Sequence, residues 1–232
     1  MEPVPEDWER ALAIVAHPDD MEYGAASAVA RWTDQGKTVT YVLATRGEAG
    51  IDALEPDEAA RVREAEELTA AGAVGVAAVE FLDHSDGLVE YGTTLRRDFA
   101  LAIRRHRPDV VITLNCDERW SGGGLNMADH RHVGLAALDA IRDAGNRWIF
   151  GGTHGPKPWP GVRCALVAGS PRPTHFVDIS DHLERGIASL AAHTRYLAHV
   201  GTDARAFLTG IATQAGGRCG VRYATEFELI PF

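Results

Sequence analysis

Short apolar runs that alternate with helical patterns govern the first half of this chain. Runs rich in Val, Ile, Leu, Ala or Thr occupy residues 11–16, 38–44, 79–82 and 110–114. Between them, residues 25–35, 57–71 and 93–106 carry helical periodicity. A strand, a helix and another strand in succession form a βαβ unit, which requires parallel pairing and a right-handed crossover. The pattern therefore predicts an α/β, Rossmann-like three-layer fold, with a mostly parallel sheet and helices on both faces. Pro56 suits the first turn of the second helix. Gly36 and Gly72 stand where left-handed caps are expected.

A fourth helix is expected over residues 129–144, after a long irregular loop. The Gly/Pro-dense stretch 151–161 then excludes regular structure, because it lacks several backbone donors and favours turns. Beyond it, 164–168 and 175–179 read as extra short strands, and 183–198 and 203–214 as helices. Residues 223–230 alternate like an edge strand. No internal repeat or linker divides the chain. The segments after residue 161 are too short for a second core, so one domain is expected over residues 1–232.

Lys and Arg number 23 against 33 Asp and Glu, a net charge of -10. That balance argues against nucleic acid or an anionic membrane surface as the main partner. No run is long enough to span a bilayer, so no membrane insertion is expected. Cys116, Cys164 and Cys219 are odd in number and widely separated, show no CxxC pair or disulfide framework, and read as buried or incidental thiols in a reducing compartment. The N-terminal residues are acidic and Pro-containing, unlike a signal peptide. A cytoplasmic protein is expected, and homo-oligomer formation is left open.

The first strand runs into Ala16-His17-Pro18-Asp19-Asp20-Met21-Glu22. Ligands of open α/β sheets bind at this end of the strands. Packing does not need an imidazole and two adjacent carboxylates there, but a metal site does. His17 and Asp20, three apart in a tight turn, can be aimed at one point, and both are ordinary zinc ligands. Asp19 between them can accept a proton from water. A third ligand is expected from Asn126-Met127-Ala128-Asp129-His130, at the same sheet edge. His130 is the candidate, with Asp129 able to orient an imidazole. His132 would point elsewhere once the helix has begun. His84, His106, His154, His175, His182, His193 and His199 read as structural or surface residues. Tyr23 and Trp120 suit packing or a sugar face, and Ser121 to Gly124 a lip beside the site.

These residues are similar to the AHPDDE-type motif of the PIG-L/LmbE-like zinc-dependent N-deacetylases. That family includes de-N-acetylases of N-acetylglucosaminyl conjugates of phosphatidylinositol, inositol and malate. Thr45-Arg46-Gly47-Glu48 resembles the family's TxGE loop, and Arg63 with Glu66 and Gly75 its R-x-x-E…G helix. Asp86-Gly87 resembles its DG turn, Asp129-His130-Arg131 with Gly134 its DHR…G motif, and residues 175–179 its late signature. The resemblance implies His17, Asp20 and His130 as metal ligands and Asp19 as general base, later the acid for the leaving amine. It implies Arg63 and Asp86 as substrate-binding residues. The implied cofactor is Zn2+ or another divalent transition metal. The implied reaction removes an N-acetyl group from an N-acetylglucosamine conjugate or related amino-sugar metabolite, by zinc-activated water.

One departure stands out. The family commonly has His-Pro-Asp-His where this chain has Met127-Ala128-Asp129-His130, and a thioether donates no hydrogen bond. Loss of an oxyanion donor costs roughly 100- to 1,000-fold in rate. The sequence thus implies a substitute donor (His154 or Asn126), a different substrate, or weak activity. The family's late Lys is also absent, with Gly186 near that position. The alternatives are an amidase of the same fold acting on a larger amide and a vestigial sugar-binding protein. A phosphoryl-transfer enzyme of the two-aspartate type fits poorly, because Asp19 and Asp20 are adjacent and their side chains diverge. A dinucleotide site also fits poorly, because the first turn lacks GxGxxG and its two carboxylates would repel a pyrophosphate.

Overall fold

Along β2 (Arg10–Val15) successive side chains enter two different cores. Ala11, Ala13 and Val15 join one apolar cluster, whereas Leu12 and Ile14 join another. Side chains alternate across a strand, so a strand covered on both faces reads as one apolar run. The computed structural model describes residues 1–76, 78–151 and 155–232. In chain order, β1 (Glu2–Pro3) and β2 are followed by α1 (Asp20–Gly24), α2 (Ala26–Asp34), β3 (Thr38–Leu43), α3 (Pro56–Ala73), β4 (Ala78–Phe81) and α4 (Thr93–His106). Then come β5 (Val110–Leu114), α5 (Ala128–Gly145), β6 (Cys164–Ala168), β7 (His175–Asp178), α6 (Leu183–Ala191), α7 (Thr194–Val200), α8 (Ala204–Cys219) and β8 (Ala224–Pro231).

The strands form one sheet in the order β1-β7-β8-β6-β5-β2-β3-β4. All neighbours are parallel except β8, which runs antiparallel to both β6 and β7. One face is covered through Val29 and Trp32 of α2, Ile187 and Leu190 of α6, and Leu208 of α8. The other is covered through Phe99 and Ile103 of α4 and Val133 and Ile141 of α5. This is the expected three-layer α/β arrangement. From β2 the chain builds outward through β3 and β4, then returns to lay β5 and β6 on the other side. The order reverses between β2 and β5, and a crevice opens at their carboxyl ends.

Four expectations are corrected. The strand expected at an edge, β8, lies inside the sheet, and the edges are β1 and β4. Its alternation reflects partly covered Glu226 and Glu228, which Arg218, Ser170 and Arg172 engage. The helix expected over 183–198 breaks into α6 and α7, because Glu66 Oε1 captures the Arg195 N–H at 2.6 Å and the Thr194 hydroxyl at 3.1 Å. Gly72 lies within α3, and Gly75 is the residue with positive φ (83°), whereas Gly36 adopts it as expected. The helix expected from residue 25 is preceded by the separate turn of α1. Among the described residues, no helix is long and apolar enough to cross a membrane.

Candidate metal centre and active site

β2 ends at Val15, and the chain turns at once into α1, so His17, Asp19 and Asp20 are held over the crevice. Asp20 Oδ2 accepts the N–H groups of Ala16 and His17, both at 2.9 Å, which closes the turn and leaves Oδ1 free. His130 arrives from the first turn of α5. Gly134 allows this approach, because a Cβ there would lie 2.8 Å from both the Cys116 Cβ and the Leu114 carbonyl oxygen. His17, Asp20 and His130 are all buried. His17 Nδ1 is 3.2 Å from His130 Nε2, His130 Nε2 is 3.1 Å from Asp20 Oδ1, and His17 Nδ1 is 3.8 Å from Asp20 Oδ1. Ligand bonds of 2.0–2.2 Å give a tetrahedron edge of about 3.3–3.6 Å, which these separations bracket.

The outer nitrogens settle what the inner ones offer. His17 Nε2 faces two acceptors, Asp86 Oδ1 at 3.1 Å and Asp129 Oδ2 at 3.2 Å. It therefore carries a proton and leaves Nδ1 as the lone pair. His130 Nδ1 lies 3.1 Å from Asn126 Oδ1. That oxygen is identified by accepting the Met127 N–H, while the Asn126 amide donates to the carbonyls of Asn115 and Asp117. His130 Nδ1 is thus the donor, and Nε2 is the lone pair. Two imidazole nitrogens and a carboxylate oxygen converge on one point. Orienting partners that fix the tautomer of metal-bound imidazoles are a general feature of such sites. Burial would lower the proton affinity of His17, but Asp129, Asp20 and Asp86 outweigh it and raise it well above the ordinary range. Burial would raise that of Asp20, but His130 and His17 hold it well below. The cluster could hold a divalent cation in place of a proton.

Asp129, expected to orient an imidazole, does so for His17 rather than for its neighbour His130. Its carboxylate also accepts the N–H groups of Gly87 at 2.7 Å and Val89 at 3.2 Å. Asp86 contacts His17 and accepts the Ala49 N–H, and Glu48 in turn accepts the Asp86 N–H at 2.8 Å. Arg63 reaches the site from α3 and donates to Asp19 Oδ1 at 2.9 Å and to the Pro18 carbonyl. Its guanidinium lies 3.9 Å over the Tyr196 ring. Gly47 makes room for it, since a Cβ there would sit 2.8 Å from Arg63 Cζ, and its φ of +67° suits only glycine well. Burial pushes the Asp19 carboxyl up to about 6, against the pull of the Arg63 guanidinium. A carboxyl poised there can both accept and return a proton near neutral pH.

These residues line a cavity of about 670 Å³, within the range of about 300–1,000 Å³ usual for small-molecule sites. Arg63, Asp86 and Tyr23 lie in its wall, as do Trp120 and Ser121. Trp120 stands edge-on to His130 with centroids 5.6 Å apart. Met127 is on the rim and 52% exposed, so the thioether borders the cavity where the resemblance implies a histidine. Asn126 does not replace that donor, because both hydrogens of its amide are spent on backbone carbonyls. His154 lies outside the described residues. His132 turns away, its Nδ1 2.6 Å from the Val89 carbonyl. Two supports lie outside the expected site residues: Glu67, which accepts the Asp19 N–H, and His193, expected only as a structural or surface residue, which lies behind it. No local signal announces either; only the packing of α3 and the α6–α7 break reveals them.

Known proteins resemble this chain in sequence and in fold. Diacetylchitobiose deacetylase of Thermococcus kodakarensis is 29% identical over 232 residues, covering 97% of this chain and 84% of the relative. 1D-myo-inositol 2-acetamido-2-deoxy-alpha-D-glucopyranoside deacetylase of Kineococcus radiotolerans is 30% identical over 200 residues, covering 71% of this chain and 53% of that protein. The solved structure of N,N'-diacetylchitobiose deacetylase from Pyrococcus horikoshii superposes with a TM-score of 0.87 at 25% identity, covering 97% and 85% of the two chains. Residues 12–141, which carry every candidate ligand, match the profile of the PIG-L family, described as GlcNAc-PI de-N-acetylase. With more than half of its length matched and the fold shared throughout, this chain belongs to the PIG-L family.

Proposed function

We propose that this protein is a zinc-dependent N-deacetylase of an N-acetylglucosamine conjugate or related amino-sugar metabolite. The observation that carries the reading is the convergence of three lone pairs, from His17 Nδ1, Asp20 Oδ1 and His130 Nε2, beside a buried carboxylate. The relatives named as deacetylases of diacetylchitobiose and of an acetamido-glucosyl inositol support the substrate class. The donor set of two imidazoles and one carboxylate, within one tetrahedron of each other, favours zinc. When bound, zinc supplies Lewis acidity toward the amide carbonyl and toward water.

The chain's own residues do the rest. Arg63 holds Asp19 by Oδ1, which leaves the second carboxylate oxygen to take a proton from the attacking water and deliver it to the leaving amine. Asp129 and Asn126 hold the two imidazoles in the ligating tautomer. Asp86 and Arg63 border the cavity, where the sugar hydroxyls are read. Residues 1–232 act as one domain in this reading, with all eight strands in the sheet that frames the crevice. The three cysteines are free, which fits the reducing cytoplasm.

Acetate release from N,N'-diacetylchitobiose and from acetamido-glucosyl inositol tests the reading. The zinc-loaded protein is expected to release acetate from at least one of them. Asp19→Ala is expected to lose about 100- to 10,000-fold in kcat, the usual contribution of a general base, with zinc content unchanged. Failure to hydrolyse any member of a broad acetamido-sugar panel sinks the proposal. Release of a larger acid, with acetamides untouched, would instead favour the amidase alternative.

A further inference from the structure

Asp19 is the one residue of the site with a strained backbone. Its φ of 98° and ψ of -20° place a non-glycine residue in the left-handed region. Such a conformation is strained and persists only where its surroundings over-determine it. Asp19 is also the N-cap of α1, with Glu22 three residues on. That spacing is a capping box, in which the N-cap side chain and the third-residue carboxylate satisfy each other's backbone N–H groups. Neither half of the box forms here. The Asp19 carboxylate makes no cap bond and is drawn to Arg63. Glu22 turns into the interior, where Ser189 Oγ donates to it at 3.2 Å.

The Asp19 N–H is satisfied instead from another helix. Glu67 Oε2 accepts it at 3.1 Å. Glu67 is one helical turn from Arg63 on α3, and residues at that spacing share a face. Two adjacent turns of one helix therefore grip Asp19 by its nitrogen and by its carboxylate. Behind Glu67 sits His193, fully buried, with Nε2 3.7 Å from Glu67 and 3.6 Å from Glu22. The break between α6 and α7 places it there, and Glu66 pins that break to α3 through Thr194 and Arg195. Among the described residues, neither ring nitrogen of His193 has a hydrogen-bond partner, nor do Glu22 Oε2 and Glu67 Oε1.

We propose that Glu67, backed by His193, is a positioning residue that holds Asp19 in its left-handed conformation and so aims the base. Burial and the facing Glu22 push the Glu67 carboxyl well above its ordinary range, yet charged or neutral it keeps a lone pair for the Asp19 N–H. The role thus depends on the acceptor. The imidazole lies between the buried Glu22 and Glu67 carboxyls, 3.6 and 3.7 Å from them, and keeps the two apart. Removing either support lets Asp19 relax toward negative φ and swings its carboxylate away.

The inference rests on Asp19 being the base, and the test separates the two ideas. Glu67→Gln keeps an acceptor oxygen in nearly the same volume, whereas Glu67→Met keeps the volume alone. Gln is expected to hold kcat near wild type. Met is expected to lower kcat by about 100-fold, the scale of a 1 Å misplacement at a reacting centre, with KM and bound zinc unchanged. Equal losses in the two variants, or a loss confined to KM or to zinc content, overturns the proposal. Should Glu67→Met not fold, His193→Asn carries the test, with a smaller fall in kcat at constant KM. Crystal structures of the variants give a readout independent of activity: Asp19 is expected at negative φ in Glu67→Met or His193→Asn, and an unchanged φ overturns the proposal even if the wild type deacetylates nothing. A second equivalent of metal in the wild type, lost in His193→Asn, would show the cluster to be a cation site and overturn it as well.

Discussion

His17 and His193 are both buried among carboxylates, but only His17 has a ring nitrogen anchored from behind. Asp86 and Asp129 fix its Nε2, and Asn126 does the same for Nδ1 of His130. Among the described residues His193 has no such anchor, and the carboxylate oxygens of Glu22 and Glu67 lie 3.6 and 3.7 Å away, beyond hydrogen-bond reach. The difference is one of direction. A ring anchored on its far side presents an aimed lone pair, which is what a cation needs. A ring without anchors fills space and separates charges, which supports neighbours. Similar residue lists within one molecule thus serve as ligand set and as scaffold.

The most damaging way to break this contrast is to remove a ligand. In His130→Ala, bound zinc is expected to fall from about one per chain to none, and deacetylation to vanish with it. Elemental analysis after gel filtration decides; retained zinc would mean that the aimed lone pairs are not the site. A milder change acts from behind. Asp129→Asn keeps the shape but offers a single acceptor oxygen to His17, Gly87 and Val89 together. Zinc affinity is expected to weaken by about 10- to 100-fold, measured by chelator competition, and an unchanged affinity would show that the anchor is dispensable.

The smallest effect concerns a carboxylate that is fully engaged away from the site. Glu6 accepts from Arg31, Trp32 and Gln35. Burial would raise its carboxyl, but these donors hold it below the ordinary 4.5. A depressed carboxyl stabilises the fold above 4.5 and loses that stabilisation as pH falls through the lower folded value. Between pH 6 and 3, Tm is therefore expected to fall more steeply in the wild type than in Glu6→Gln. Parallel slopes would remove Glu6 from the account.

How much was legible in the sequence follows the same division. The parallel strands are runs such as Ala11 to Val15 and Val110 to Leu114, whose burial on both faces leaves a continuous apolar signature. His17, Asp20 and His130 stand out because packing has no use for their chemistry at strand ends, and the structure brings them together. The sequence marks Asp129 as an orienting residue, but which imidazole it serves depends on how the loop at Gly87 folds over it. The α6–α7 break escaped because helical periodicity runs through it, and its cause is a carboxylate more than a hundred positions earlier. Glu67 looks like one more charge on an exposed helix. Only the docking of α3 against the β2–α1 turn turns it inward, and no local pattern encodes that docking.

The placement of β8 has a consequence for how the molecule is made. β8 follows β6 and β7 in the chain yet lies between them, pairing with both. Until residues 224–231 have been synthesised, β6 shows an open edge and the β1–β7 pair has no seat on the sheet. Open edges invite pairing with other chains, and contacts that wait on distant segments slow folding. The incomplete chain is therefore most exposed to aggregation just before β8 emerges. A cut that removed β8 would take out an inner rung and detach β1 and β7, rather than trim a border.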